Sequence, residues 1–258
     1  MLVQRPLKLG EVLAETVRLY GDRFWSGLGI GVPVAAAFAV TLRAGDVIDV
    51  IVLSVAFTVA FAAAARVAAG DGVVEAFAQA AVRLPTLFVL MLVVSVPFVL
   101  AVGQLYLLVP AVAWLGVTAF AIPVAMLERD PDADDWFGRL VYALSRSFIL
   151  GRTEYLHAVG IAAGLVITYA LLYGVLVAAL VGFGENGRDV AGIIATVVLA
   201  PFFFLGLSVL YFEQKARALS SRSEHPQTRE DADAEVPDAL DAERAGPADA
   251  PREPRARP

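Results

Sequence analysis

The chain has 258 residues, of which 59% are hydrophobic and only 18% charged, and its formal net charge is −6. A soluble domain carries about 45–50% apolar and about 25% charged residues, so a water-soluble fold would lack the polar surface to cover this much apolar side chain. With no cysteine, two histidines and an acidic balance, the composition excludes disulfides, thiolate metal sites, cysteine nucleophiles and a nucleic-acid-binding surface.

The first element in chain order is amphipathic. Between residues 7 and 24, Leu9, Leu13, Val17, Tyr20 and Phe24 recur at helical spacing, with Glu11, Glu15, Arg18 and Asp22 between them. That pattern makes one apolar stripe on a helix suited to the membrane interface. The opening residues lack the continuous apolar core and small-residue cleavage site of a signal peptide.

Two long apolar segments follow, Trp25–Leu42 and Val47–Ala69. A spanning helix needs about 20 such residues, because the hydrocarbon core is about 30 Å thick. Residues 72–84 repeat the amphipathic pattern through Val73, Val74, Phe77, Ala81 and Leu84, and Pro85–Gly103 and Leu105–Leu127 form a second apolar pair. A third amphipathic stretch, 133–152, carries Trp136, Phe137, Leu140, Val141, Leu144 and Phe148 behind acidic residues that can cap it. Leu156–Val181 and Val190–Phe212 are the last pair. In lipid these segments must be helices or barrel strands. Runs such as LFVLMLVVSVPFVLAV do not alternate as barrel strands do. The expected fold is therefore all-α and polytopic: six transmembrane helices arranged as three hairpins, each preceded by an interfacial amphipathic helix. Phe24-Trp25 and Gly29-Ile30 fall opposite Tyr155-Leu156 and Gly160-Ile161 at one offset, as a repeated unit would place them.

Residues 213–258 hold eleven acids against eight bases and no aromatic residue. Such a composition offers too little apolar surface to offset ordering entropy, so a disordered acidic tail is expected there. Lys and Arg concentrate in the longer connections and at both termini, and the short turns hold only Arg43 and Arg188. Both termini are accordingly expected on the cytoplasmic side of a cell membrane.

Ionisable residues in lipid are costly and mark function by default. No expected span has a charge at its centre. Asp49 and Arg66 lie near the two ends of the second, where they can snorkel or pair locally. Glu128 and Arg129 close the fourth in the same way. No carboxylate is expected buried among the spans, and no polar cluster within reach of lipid headgroups. Tyr169 and Tyr173, one turn apart, are candidates for lining a polar cavity or packing as rings. Gly27-x-x-x-Gly31 and Gly160-x-x-x-Gly164 are candidates for close helix contact. Pro33, Pro97, Pro110, Pro123 and Pro201 interrupt the spans, as in some transporters. His157 stands alone, without the second ligand or carboxylate cluster a metal site needs. No phosphate loop, nucleophile elbow or dinucleotide fingerprint occurs, and no catalytic residue or cofactor is expected.

Three stretches carry a family likeness: RPLKLGEVLAETVRLYGDRFW (Arg5–Trp25), ALSRSFILGR (Ala143–Arg152) and VLYFEQKAR (Val209–Arg217). Together they resemble the membrane domain associated with glycerophosphoryl diester phosphodiesterases and related multi-pass proteins. In fused members of that family a soluble catalytic domain follows the membrane part. Here 46 residues follow Phe212, too few for a catalytic barrel, so the resemblance implies a membrane module without transferring an activity. The sequence thus points to a non-enzymatic membrane protein for membrane organisation or partner binding, in contact with the lipid bilayer and with a protein partner or a second copy. A small-molecule or lipid transporter is the alternative.

Overall fold

The computed structural model describes residues 7–41, 46–101, 104–128, 135–180 and 187–223; the side chains of residues 46–50, 105 and 221–223 are outside that description. Every regular element among them is helical. The elements are α1 (Leu9–Asp22), α2 (Phe24–Thr41), α3 (Asp46–Ala69), α4 (Val73–Val82), α5 (Leu84–Ala101), a 3₁₀ turn (Leu105–Leu107), α6 (Leu108–Thr118), α7 (Ala121–Leu127), α8 (Trp136–Thr153), α9 (Tyr155–Leu180) and α10 (Gly187–Ser223). Six stretches are long and apolar enough to cross a membrane, from α2, α3, α5, α6 with α7, α9 and α10. The protein is an all-α, multi-pass membrane protein.

Local chemistry accounts for several boundaries. The backbone N–H of Lys8 donates to the Glu11 carboxylate (2.8 Å), which fixes the start of α1. Asp135 caps α8 by accepting from the Gly138 N–H at 2.8 Å. The last turn of α3 closes on Gly70, whose φ of +121° suits glycine. Gly70 donates to Val67 and Asp71 to Arg66, which satisfies carbonyls that the helix end would leave unpaired. The fourth span is two helices rather than one. Pro123 has no N–H to offer the Ala119 carbonyl four residues back, and the helix breaks at Ala119-Phe120.

The compact unit runs from Met1 to Ala218; the second, Leu219–Pro258, is described only as far as Ser223. Within the first, α2 packs on α3, α5 on α6, and α9 on α10, where Tyr169 meets Phe203 and Leu165 meets Gly206. Burial sorts the spans. α10 is 72% buried over its span, whereas α5 and α9 are 17% buried, so α10 is central and the other two form the lipid-facing rim. The core joins Phe61 stacked on Phe204, Leu87, Leu90, Phe120, Ile122, Leu150, Ile161, Leu205 and Tyr211.

The α2–α10 crossing depends on one glycine. Pro201 cannot donate to the carbonyl of Val197, and that oxygen lies too close to Gly31 for a Cβ to fit there. Tyr20 on α1 donates to the neighbouring Val198 carbonyl at 2.9 Å. The α6–α8 contact is similar. A Cβ on Gly151 would lie 2.7 Å from Val117 Cα, and the buried Ser147 hydroxyl donates to the Val117 carbonyl at 2.6 Å.

The tail boundary differs from the sequence expectation. The helix was expected to end at Phe212, with residues 213–258 disordered, yet α10 continues to Ser223, with Glu213 and Gln214 fully buried. The charges at 213, 215 and 217 resemble a membrane boundary, but they are paired within the bundle. Residues 224–258 lie outside the described residues, as do Arg43, Arg129 and most of the acidic run before Asp135.

Candidate functional site

The C-terminal third of α10 carries two polar stripes. At about 100° per residue, Tyr211 and Lys215 share one face, and Glu213 and Arg217 share the opposite one.

The first stripe grips Glu128, the residue directly after α7. Glu128 Oε1 accepts from the Tyr211 hydroxyl at 2.8 Å and pairs with Lys215 Nζ at 2.9 Å. Its Oε2 accepts from Arg146 Nε at 3.1 Å and from the Tyr142 hydroxyl at 3.3 Å, both on α8. A carboxylate has about four acceptor positions, and four donors fill them. Burial pushes the Glu128 carboxyl up, but hydrogen bonds from Lys215 and Tyr211, with the charges of Lys215 and Arg146, outweigh it and hold the group below the ordinary glutamate value. Beside it, Arg83 Nη1 donates to the Ala125 and Met126 carbonyls at 2.5 and 3.4 Å. Cations thus surround the carbonyl end of α7, where the helix dipole favours positive charge.

The second stripe holds the entry to α1. Glu213 is fully buried, and its Oε1 accepts from Arg217 Nε and, at 3.4 Å, from the Leu7 N–H. Arg217 Nη2 donates to the Leu7 carbonyl at 2.8 Å, and Nη1 to Glu154 Oε2 at 2.6 Å. Both backbone groups of Leu7 are therefore bonded by side chains of α10. His157 Nε2 lies 3.1 Å from Arg217 Nη2 and 3.4 Å from Glu213 Oε1. Arginine only donates, so the shorter contact uses this nitrogen as an acceptor. Gln214 donates to Glu213 Oε2 at 3.0 Å.

The residues singled out from the sequence lie mostly elsewhere. Arg66 pairs with Asp71 at 2.5 Å, and Arg23 Nη1 donates to the Asp71 carbonyl at 3.3 Å. Asp49 is in the first turns of α3, with its side chain outside the described residues. Tyr169 and Tyr173 stack at 6.0 Å, and Tyr169 also meets Phe203, a ring cluster between α9 and α10. Gly27 and Gly31 both face Pro201 on α10. Gly160 has no neighbour within 4 Å, and a Cβ on Gly164 would meet Leu9 of α1 at 3.3 Å, so the second small-residue pattern does not close a pair of spans. His157 is not isolated, since it joins the Glu213 network.

No family model, curated protein or solved structure matches the chain. The likeness of Arg5–Trp25 to a phosphodiesterase-associated membrane domain therefore rests on those residues alone. Two expectations need correction. A carboxylate is buried within the bundle, Glu213, and a polar cluster does assemble where α7, α8, α9 and α10 meet. Both depend on residues distant in sequence, up to 210 positions apart for Leu7 and Arg217. The local signal was the i, i+4 spacing of Tyr211 with Lys215 and of Glu213 with Arg217.

Proposed function

We propose that the protein is a non-catalytic membrane module, with both termini on the cytoplasmic side, that organises the membrane or seats a partner at the face carrying the polar network. One observation supports this reading most directly. Among the described residues, the two most buried carboxylates, Glu128 and Glu213, each tie several elements together where the end of α7, α8, the start of α9 and the C-terminal part of α10 meet. A group filled with donors is poorly placed to accept a further proton from a substrate. The lipid bilayer is the partner that six apolar spans require. The distribution of Lys and Arg along the sequence supports the orientation.

Reporter fusions after Arg43, Gly70, Gly187 and Glu213 test the arrangement, with Gly70 and Glu213 expected inside and the other two outside. An external signal at Gly70 overturns it. Flux measurements on purified protein in liposomes, with a panel of ions, small metabolites and labelled lipids, test the absence of transport.

A transport reading is favoured by one specific feature, the fully buried Glu213 within an apolar helix interrupted by Pro201. Under that reading Glu213→Gln abolishes a flux that the wild-type chain supports. Under the module reading there is no flux to abolish.

A further inference from the structure

Each amphipathic helix passes into the next span through a single non-helical residue: Arg23 between α1 and α2, Arg83 between α4 and α5, Glu154 between α8 and α9. In all three, the carbonyl of that elbow residue opens the following helix by accepting from the N–H four residues on, at Gly27, Leu87 and Ala158. Counted from the elbow, the seventh residue is fully buried in each case (Ile30, Leu90, Ile161), and the eleventh is again core (Val34, Val94, Leu165). The elbow side chain also does the same thing each time. It bonds to the C-terminal part of the second span of its own hairpin, or to the residues just past it. Arg23 reaches the Asp71 carbonyl just past α3, Arg83 the Ala125 and Met126 carbonyls at the end of α7, and Glu154 the Arg217 guanidinium on α10.

We propose that the chain is three copies of one unit, namely interfacial helix, elbow, hairpin and clasp, and that the third clasp has become an ionic latch on α8. The inference holds whichever role the module has. In the first two units a guanidinium bonds neutral carbonyls at a helix end. In the third the polarity is exchanged, with an acid on the elbow and a base on the span. Glu154 is 48% exposed, so salt screens its pair with Arg217. Glu213, His157 and the Leu7 backbone face that pair, and the buried Glu213 keeps Arg217 in place when Glu154 lets go. The α8–α9 elbow is therefore tied to α10 through an exposed ion pair.

The chain has no cysteine, so introduced cysteines are unique labelling sites. Spin labels at Ser145 and Ile167 report the third elbow, and labels at Val74 and Val96 the second, in full-length protein in lipid nanodiscs. Raising salt from 0.05 to 0.5 M, or Glu154→Gln, is expected to raise a displaced α8–α9 distance population about two- to fivefold, the range an exposed ion pair controls. Glu154→Lys, facing Arg217, raises it further, and Glu154→Asp restores the single population. The second elbow opens in Arg83→Gln. An unchanged α8–α9 distance in Glu154→Lys overturns the latch, as does a third elbow that does not respond to salt. A second elbow that stays closed in Arg83→Gln overturns the equivalence of the clasps.

Discussion

Replacing Gly31 with alanine tests the packing of the central helix. The new methyl would fall far inside contact distance of the Val197 carbonyl oxygen and lie 3.0 Å from Pro201 Cγ. A backbone carbonyl cannot swing aside as a side chain can, so α2 and α10 must separate by roughly an ångström to restore van der Waals distance. Overpacking of this kind costs about 1–3 kcal/mol. Loss of the close Cα–H contact to a carbonyl that Pro201 leaves without its helical donor adds about 0.5–1 kcal/mol. Alanine returns up to about 1 kcal/mol through helix propensity. The net expectation is a loss of about 0.5–4 kcal/mol. Gly160→Ala is the matched control, because nothing lies within 4 Å of its Cβ position, and it should be neutral or slightly stabilising. Reversible unfolding in mixed micelles, followed by tryptophan fluorescence, measures both. Equal stability of Gly31→Ala and wild type, or equal damage from the two substitutions, refutes the reasoning.

Glu128 predicts an acid limb in the same assay. Its folded-state pKa is depressed, so its contribution is fully present above the unfolded value of about 4.3 and is lost as pH falls through the lower folded value. Glu128→Gln should be less stable than wild type at pH 7, with the difference narrowing below about pH 4; a difference independent of pH counts against the network. Tyr211→Phe removes one donor to that carboxylate and should cost about 1–3 kcal/mol, read as a shift in unfolding midpoint. Ser147→Ala leaves the Val117 carbonyl without its hydroxyl partner and should cost about 0.5–1.5 kcal/mol, without altering the acid limb.

The spans were legible because lipid demands uninterrupted apolar helices, and runs such as LFVLMLVVSVPFVLAV admit no other reading. The amphipathic helices were legible for the same reason that makes them interfacial, an apolar stripe at helical spacing in Leu9, Leu13 and Val17. What sequence could not rank was which stripe and which glycine pair meets a neighbour. Gly27-Gly31 and Gly160-Gly164 look alike in sequence, and only the first pair faces a neighbouring span. The end of α10 was hidden for a different reason. Three charges within five residues signal an exit into water, unless their partners, here Glu128, Glu154 and Leu7, arrive from elements far along the chain.

An all-apolar helix in lipid has little to fix its rotation or depth, because every face is equally soluble in hydrocarbon. The two opposed stripes at the end of α10 supply that missing information. Sliding the helix one turn would bring Lys215 to the place of Tyr211 and Arg217 to that of Glu213. The Leu7 N–H would then face a guanidinium instead of a carboxylate. The network thus acts on α10 as a key acts on a shaft, setting angle and height together.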